Sequence, residues 1–274
     1  MAYWRLLRPL NALIAGLVAV TGAFIAGATD WLRVILAGFC GAFLIGWANI
    51  DNDLADIVAD RASHPARPLA RGQVPEQRAR MVSWLLLIPA MAIACFLPPA
   101  SILAFLAILG LVALYNRHLK NLPLVSNATV ALAAALGFPF GGFLGPDLAP
   151  ALWACLLAFF FHLAREMLKS LEDADGDRAA GRKTIPVIHG PVAGLTLATV
   201  FAALLVAVSP LPFLVGALGP AYLVIVVIFV DAAWVGLLAY AWARRRYGIA
   251  STLAKMDMLA ALAALAAGRV FPGT

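Results

Sequence analysis

The chain has 274 residues, of which 64% are hydrophobic and only 12% are charged, and its formal net charge is +6. Soluble globular domains carry about 25% charged residues, so this composition excludes an ordinary water-soluble fold. The basic excess does not indicate a nucleic-acid-binding protein either, because the charges lie in short loops between apolar runs and form no separate basic domain.

Long apolar runs follow one another along the whole chain. A helix needs about 20 mostly apolar residues to cross a bilayer, and backbone groups inside the bilayer must pair within the segment, so spanning segments are helices. We therefore predict an all-α integral membrane protein in which residues 1–274 form a single polytopic domain. Its nine predicted transmembrane helices are 10–28, 31–50, 81–98, 101–116, 124–145, 148–168, 192–216, 221–243 and 253–271.

The basic residues predict how these helices are oriented. Eighteen of the 20 Lys and Arg residues fall on one predicted side of the membrane, and the exceptions are Arg33 and Arg269. Cytoplasmic loops of membrane proteins carry the Lys and Arg excess. We therefore predict a multi-pass protein of the cell inner membrane, with its polar site facing the cytoplasm and its C-terminus on the other side.

A first acidic cluster follows the second predicted span, in the order Asn52-Asp53-x-x-Asp56-x-x-x-Asp60. On one continuous helix these three aspartates, at positions i, i+3 and i+7, would share a face. Carboxylates so close together repel one another unless a cation lies among them. Mg²⁺ prefers carboxylate oxygens together with substrate phosphates, so this cluster is a predicted magnesium site.

A second acidic cluster follows the sixth predicted span, where Asp173 and Asp177 are one helical turn apart. Both clusters follow even-numbered spans and therefore lie on the same predicted side. Basic residues flank them: Arg67, Arg165, Lys169, Arg178, Arg182 and Lys183. Two carboxylate sets with arginines and lysines beside them indicate a diphosphate bound through Mg²⁺, with charge-assisted hydrogen bonds from the basic side chains.

With these motifs, the chain resembles the UbiA-type membrane prenyltransferases. The family's N-D-x-x-D-x-x-x-D signature matches Asn52 to Asp60, its basic RPL…G stretch matches Arg67 to Gly72, and its D-x-x-x-D signature matches Asp173 to Asp177. The number of predicted spans and the order of the parts agree over nearly the whole chain.

Within this family, three stretches are most similar to the archaeal-type digeranylgeranylglyceryl phosphate synthases. They are LLRPLNALIAG from Leu6 to Gly16, YNRHLKNLPLVSNATVA from Tyr115 to Ala131, and REMLKSLEDADGD from Arg165 to Asp177.

The resemblance implies nine helices around a central cavity, similar to soluble isoprenyl diphosphate synthases, with the cavity open sideways to lipid. It implies a Mg²⁺-dependent enzyme that transfers a prenyl group, geranylgeranyl in this subgroup, from a prenyl diphosphate donor. The acceptor attacks C1 after metal-assisted loss of diphosphate. That acceptor is the hydroxyl of geranylgeranylglyceryl phosphate in the synthases, and hydroxybenzoate, homogentisate or chlorophyllide in other relatives. Both acceptor classes stay open here, and no obligate protein partner is expected.

The resemblance also supplies the expected site residues. Asp53, Asp56, Asp60, Asp173 and Asp177 are the expected catalytic and metal-binding residues. Tyr115 is expected near the diphosphate, although an aromatic residue at the membrane interface is an equally good interpretation. Arg8 and Lys169 are expected to bind the acceptor, although Arg8 could instead extend to the interface. The expected substrate-binding residues are Asn52, Arg67, Tyr115, Lys120, Arg165, Lys169, Arg182, Lys183, Arg8 and Asn11.

Two polar residues inside predicted spans are open to two interpretations. Asp231 lies in the middle of the eighth span, where an ionisable residue is usually functional or forms a structural hydrogen bond between helices. His162 lies one turn before Arg165, so it contacts substrate or packs between helices.

Two other function classes explain the acidic residues less well. CDP-alcohol phosphotransferases keep both aspartate pairs on one segment, whereas here the two clusters are 120 residues apart (Asp53 to Asp173). Cation transporters place ionisable residues near the bilayer midplane, where this chain has only Asp231.

Overall fold

The computed structural model describes residues 1–271, apart from the side chains of Ala59, Ala62 and Ser63, so the last three residues of the predicted domain lie outside it. Two π-helical segments, Tyr115–Leu119 and Val226–Asp231, continue or connect α-helices. The α-helices of this part of the chain are α1 (Ala2–Leu7), α2 (Pro9–Ile25), α3 (Trp31–Ala55), α4 (Ile57–Ser63), α5 (Glu76–Ala94), α6 (Pro99–Leu114), α7 (Val125–Ala135), α8 (Gly137–Gly142), α9 (Ala149–Glu172), α10 (Ala174–Ala179), α11 (Ile185–Val208), α12 (Leu211–Leu214), α13 (Pro220–Ile225), α14 (Ala232–Arg244) and α15 (Tyr247–Val270).

The helical membrane class is confirmed. Every predicted span overlaps a helical segment, and seven segments are long and apolar enough to cross a bilayer. The other two are α2, which has 17 residues, and α5, which begins with a charged turn (Glu76, Arg78 and Arg80). The count of nine crossings therefore stays a prediction. The seven segments are Trp31–Ala55, Pro99–Leu119, Val125–Gly142, Ala149–Glu172, Ile185–Leu214, Pro220–Arg244 and Tyr247–Val270.

Proline sets the start of several of these helices. Proline is favoured in the first helical turn because its fixed φ suits the helix and its missing N–H would have no helical partner there. Helix α3 begins differently, since the Asp30 side chain accepts a hydrogen bond from the Arg33 backbone N–H at 3.2 Å. The helix-starting prolines include Pro9, Pro99, Pro150 and Pro220.

The long helices form a closed ring in which each packs against the next. The order around the ring is α2, α3, α5, α6, α7 with α8, α9, α11, α14 and α15, and α15 packs against α2. Helices α2 and α8 approach very closely because glycine lies at their contact. A Cβ on Gly141 would lie 1.9 Å from the Ala19 carbonyl oxygen, and one on Gly22 would lie 2.2 Å from that of Phe138.

An apolar cavity lies inside the ring, between α2, α9, α11, α15 and the segment from α13 to residue 230. Ile14, Leu157, Tyr222 and Met258 are among the residues that line it, and His162 is a polar residue at its wall. This finding agrees with the central cavity that the sequence resemblance implies.

Asp231 has a hydrogen-bonding role between helices. Its carboxylate accepts a hydrogen bond from the Ser209 hydroxyl at 2.7 Å, and the Tyr222 hydroxyl donates to the Ser209 carbonyl at 2.7 Å. These bonds join the end of α11 to the π-helical segment, which supports the structural interpretation of Asp231.

Candidate active site

The first aspartate motif does not lie on one continuous helix, so that expectation was wrong. Helix α3 ends at Ala55, Asp56 adopts a non-helical conformation (φ −104°, ψ 5°), and α4 begins at Ile57. Asp53, Asp56 and Asp60 are nevertheless all buried, with 2%, 7% and 3% of their surfaces exposed. The break lets Asp56 contact different cations from those that contact Asp53 and Asp60.

Two arginines neutralise Asp53 and Asp60. Arg67 Nη1 lies 2.7 Å from Asp60 Oδ2 and 3.5 Å from Asp53 Oδ1, and Arg8 also pairs with Asp53. The backbone of Arg8 is left-handed (φ 48°) and separates α1 from α2. This turn places the Arg8 side chain at the end of α3, beside Asp53.

Arg182 joins the two aspartate clusters. Its Nη2 lies 2.7 Å from Asp56 Oδ1 and its Nη1 lies 3.4 Å from Asp177 Oδ1, although Arg182 and Asp56 are 126 residues apart. Lys120 Nζ lies 2.8 Å from the same oxygen of Asp56. The fold therefore brings both predicted clusters and two predicted phosphate-binding residues into one site.

His64 forms a second link between the clusters, and sequence analysis missed it. Its Nε2 lies 3.4 Å from Asp173 Oδ1. Its position four residues after Asp60, at the end of α4, was a usable signal, because that helix presents the first cluster.

The environment shifts the pKa of both aspartates in the second cluster. Burial raises the pKa of Asp173, but the His64 hydrogen bond and the Lys169 charge outweigh it, so the pKa lies below its usual value. Burial raises the pKa of Asp177, and the nearby Arg182 charge only partly opposes this. Asp173 is therefore the more readily ionised of the two.

A polar cavity of about 610 Å³ opens beside Asp56. Asn116, Lys120 and Arg182 are among the residues that line it. The Tyr115 ring lies below the Lys120 ammonium, with 5.4 Å between Nζ and the ring centroid, so this aromatic face already contacts a cation. The space is suited to an anionic group that would compete with Asp56 for the two basic side chains.

The remaining predicted site residues lie at different distances from this centre. Arg165 forms an ion pair with Glu166 at 3.0 Å, and Lys169 is close enough to Asp173 to affect its charge. Asn11 and Asn52 are half-buried at the same end of the bundle, whereas Lys183 is exposed.

The aspartates suit a hard divalent metal by donor type and by burial. Mg²⁺ favours carboxylate oxygens, and Asp53, Asp56, Asp60 and Asp177 are all buried. Their oxygens contact arginine or lysine, and no group of three or more His, Cys, Asp or Glu residues within the described part of the chain converges as a metal site. A metal would therefore have to replace some of these ion pairs.

The site adjoins the apolar cavity along α9. His162 lines that cavity, and Arg165 and Glu166 follow one turn later. A molecule with a phosphate head and a long apolar tail could thus satisfy both regions at once.

Known protein sequences resemble this chain over most of its length. The model of the UbiA prenyltransferase family matches residues 13–262. A digeranylgeranylglyceryl phosphate synthase from Methanopyrus kandleri is 38% identical over 233 residues, covering 82% of this chain and 83% of the relative. The synthase of the same name from Natronomonas pharaonis is 37% identical over 272 residues, covering 97% and 96%.

Solved structures show the same fold. A structure of a digeranylgeranylglyceryl phosphate synthase has a TM-score of 0.78 and 26% identity, and the match covers 98% of each chain. A UbiA homologue from Archaeoglobus fulgidus bound to GPP and Mg²⁺ has a TM-score of 0.73 and 23% identity, covering 96% of this chain and all of that one.

Proposed function

Because the chain belongs to the UbiA prenyltransferase family, we propose that it transfers a geranylgeranyl group from its diphosphate to the hydroxyl of geranylgeranylglyceryl phosphate. The observation that carries this proposal is the likeness to two digeranylgeranylglyceryl phosphate synthases over most of both chains. The site agrees with it, since it offers basic residues on α9 in addition to those that pair with the aspartates of the first motif.

The aspartates and their ion pairs would bind the donor diphosphate. Asp53, Asp56, Asp60, Asp173 and Asp177 would hold Mg²⁺, which supplies positive charge to stabilise the departing diphosphate. The A. fulgidus homologue bound to GPP and Mg²⁺ supports a divalent metal and a prenyl diphosphate donor. Arg67, Lys120 and Arg182 now neutralise carboxylates, and once released they would donate charge-assisted hydrogen bonds to phosphate oxygens.

The prenyl chain would lie in the apolar cavity, with its reacting carbon toward the aspartates. The bond between C1 and the diphosphate oxygen breaks, and the acceptor hydroxyl oxygen bonds to C1 and loses its proton, so an ether and free diphosphate result. The Tyr115 ring, which already contacts Lys120, would stabilise positive charge that develops on the prenyl group. The protein is an integral membrane enzyme, and we place this reaction at its cytoplasmic side on the distribution of basic residues.

An acceptor panel tests the proposal. Purified protein in lipid nanodiscs would receive Mg²⁺, labelled geranylgeranyl diphosphate and one acceptor: geranylgeranylglyceryl phosphate, 4-hydroxybenzoate, homogentisate or chlorophyllide. We expect labelled ether only with the glyceryl phosphate lipid. A preference for an aromatic acceptor would overturn the lipid assignment and leave the prenyltransferase activity in place.

A further inference from the structure

Helices α9 and α15 pack against each other, and one close contact sets their register. A Cβ on Gly248 would lie 2.4 Å from Glu172 Oε1, so the start of α15 touches the end of α9. Arg165 lies seven residues, about two helical turns, before Glu172 on α9, and Lys255 lies seven residues after Gly248 on α15. Arg165 and Lys255 therefore lie at the same level of the bundle.

Lys255 lies in a group of positive charges. It is half-buried, and the charged side chains that act on it most strongly are all basic: Arg165, Arg8 and Lys169. Like charges at a partly buried position destabilise one another unless an anion lies among them. Four basic residues from three helical regions thus converge at the wall of the bundle.

The carboxylates near this group do not neutralise all of it. Arg8 pairs with Asp53 and Arg165 with Glu166. Within residues 1–271, neither Lys169 nor Lys255 has a carboxylate oxygen within the 4.0 Å that defines an ion pair, and the buried Nε of Arg165 has no hydrogen-bond partner there. These unused donors indicate a binding site for an anion, which would share Lys169 with the nearby carboxylates of Glu172 and Asp173.

This basic group is distinct from the two basic residues that contact Asp56. Lys120 and Arg182 both bind Asp56, whereas Lys255 and Arg165 lie on the α9–α15 pair. Arg8 connects the two regions, because it pairs with Asp53 and also lies within electrostatic reach of Lys255. An anion bound here would lie beside the reacting centre without occupying the diphosphate position.

We propose that Arg165, Lys169 and Lys255 bind the phosphate monoester of the acceptor lipid, and that Lys255 is a specificity-determining residue for phosphorylated acceptors. This inference rests on the proposed function. A phosphate monoester carries between one and a half and two negative charges and three acceptor oxygens, which three cations from two helices can match. Arg8 would then lie between the acceptor phosphate and the aspartates, which orients the acceptor hydroxyl toward the donor.

Lys255→Met tests the assignment in nanodiscs by equilibrium binding of two lipids, geranylgeranylglyceryl phosphate and geranylgeranylglycerol. We expect Lys255→Met to weaken binding of the phosphorylated lipid about tenfold, the effect of losing one charge-assisted hydrogen bond. Binding of the alcohol and of geranylgeranyl diphosphate should not change. Arg246→Met, an exposed residue just before α15, is the matched control and should bind both lipids normally, and Lys255→Arg should retain binding.

Two results would overturn the site: equal loss of both lipids in Lys255→Met, or a loss confined to geranylgeranyl diphosphate. Should Lys255→Met not fold, the comparison of the two lipids with Lys255→Gln decides in the same way. Turnover separates this inference from the proposed function. Tight, Lys255-dependent binding without prenylation refutes the function only, whereas prenylation with an unchanged acceptor KM in Lys255→Met refutes the site only.

Discussion

At the scale of single residues, the site is a set of buried carboxylates whose charges are balanced by arginine and lysine side chains. Arg67 is shared by Asp53 and Asp60, and Arg182 by Asp56 and Asp177. Removing one partner of a buried ion pair leaves an uncompensated charge, so such pairs are costly to break. If a metal ion binds the carboxylates while a diphosphate binds the released arginines, neither partner of an ion pair is left uncompensated. Joint binding of the metal and the diphosphate is therefore favourable.

Replacing individual aspartates tests this account. We expect Asp53→Ala and Asp173→Ala each to lower turnover about a hundredfold or more, because the lost interaction is strongest in the transition state. Asp175→Ala is the matched control, since Asp175 lies on the same short helix as Asp177 but its side chain is 98% exposed. Initial rates with labelled donor measure the effect, and gel filtration checks folding. Near-normal turnover of either variant would show that its aspartate is dispensable.

At the scale of helices, the site depends on where helices end. Helix α3 stops at Ala55, α9 stops at Glu172, and a left-handed residue, Arg8, separates α1 from α2. Each end lies at the same side of the ring, so side chains that follow the helix ends face one another. The ring itself depends on close helix contacts, which small residues permit in a membrane.

The contact between α2 and α8 gives a stability prediction. Gly141→Ala would place a methyl group 1.9 Å from the Ala19 carbonyl oxygen, so the two helices must separate, at a cost of about 1–3 kcal/mol or more. Gly110→Ala is the control, because no atom lies within 4 Å of its added Cβ and alanine favours a helix. Thermal unfolding in detergent should show a lower Tm for Gly141→Ala only. An unchanged Tm would mean that α2 and α8 are not in close contact.

At the scale of the whole molecule, one site is assembled from both halves of the chain. The first half supplies Asp53, Asp56 and Asp60, and the second supplies Asp173, Asp177 and Arg182. The two motifs meet where α4 packs against α10 and where Arg182 contacts Asp56 and Asp177. Metal binding that uses all five aspartates should therefore require both halves of the chain.

Metal removal tests the assembled site. We expect turnover to fall to background in excess EDTA and to return when MgCl₂ is added, because the departing diphosphate then lacks its main charge stabilisation. Labelled product formation measures this, and a parallel thermal unfolding curve checks that EDTA does not unfold the protein. Undiminished turnover after exhaustive chelation would remove the metal from the mechanism.

The sequence by itself determined the membrane class, the family and which aspartates are candidates for the site, because apolar runs and motif spacing are local properties. Only the tertiary structure decided which cations meet which carboxylates. It showed that Asp56 separates α3 from α4, that His64 contacts Asp173, and that Lys255 lies at the level of Arg165 on the neighbouring helix. Such pairs are far apart in the chain and come together only through helix packing, as Lys255 and Arg165 do where α9 packs against α15. The register of two packed helices depends on both segments, so the sequence of one segment alone does not reveal it.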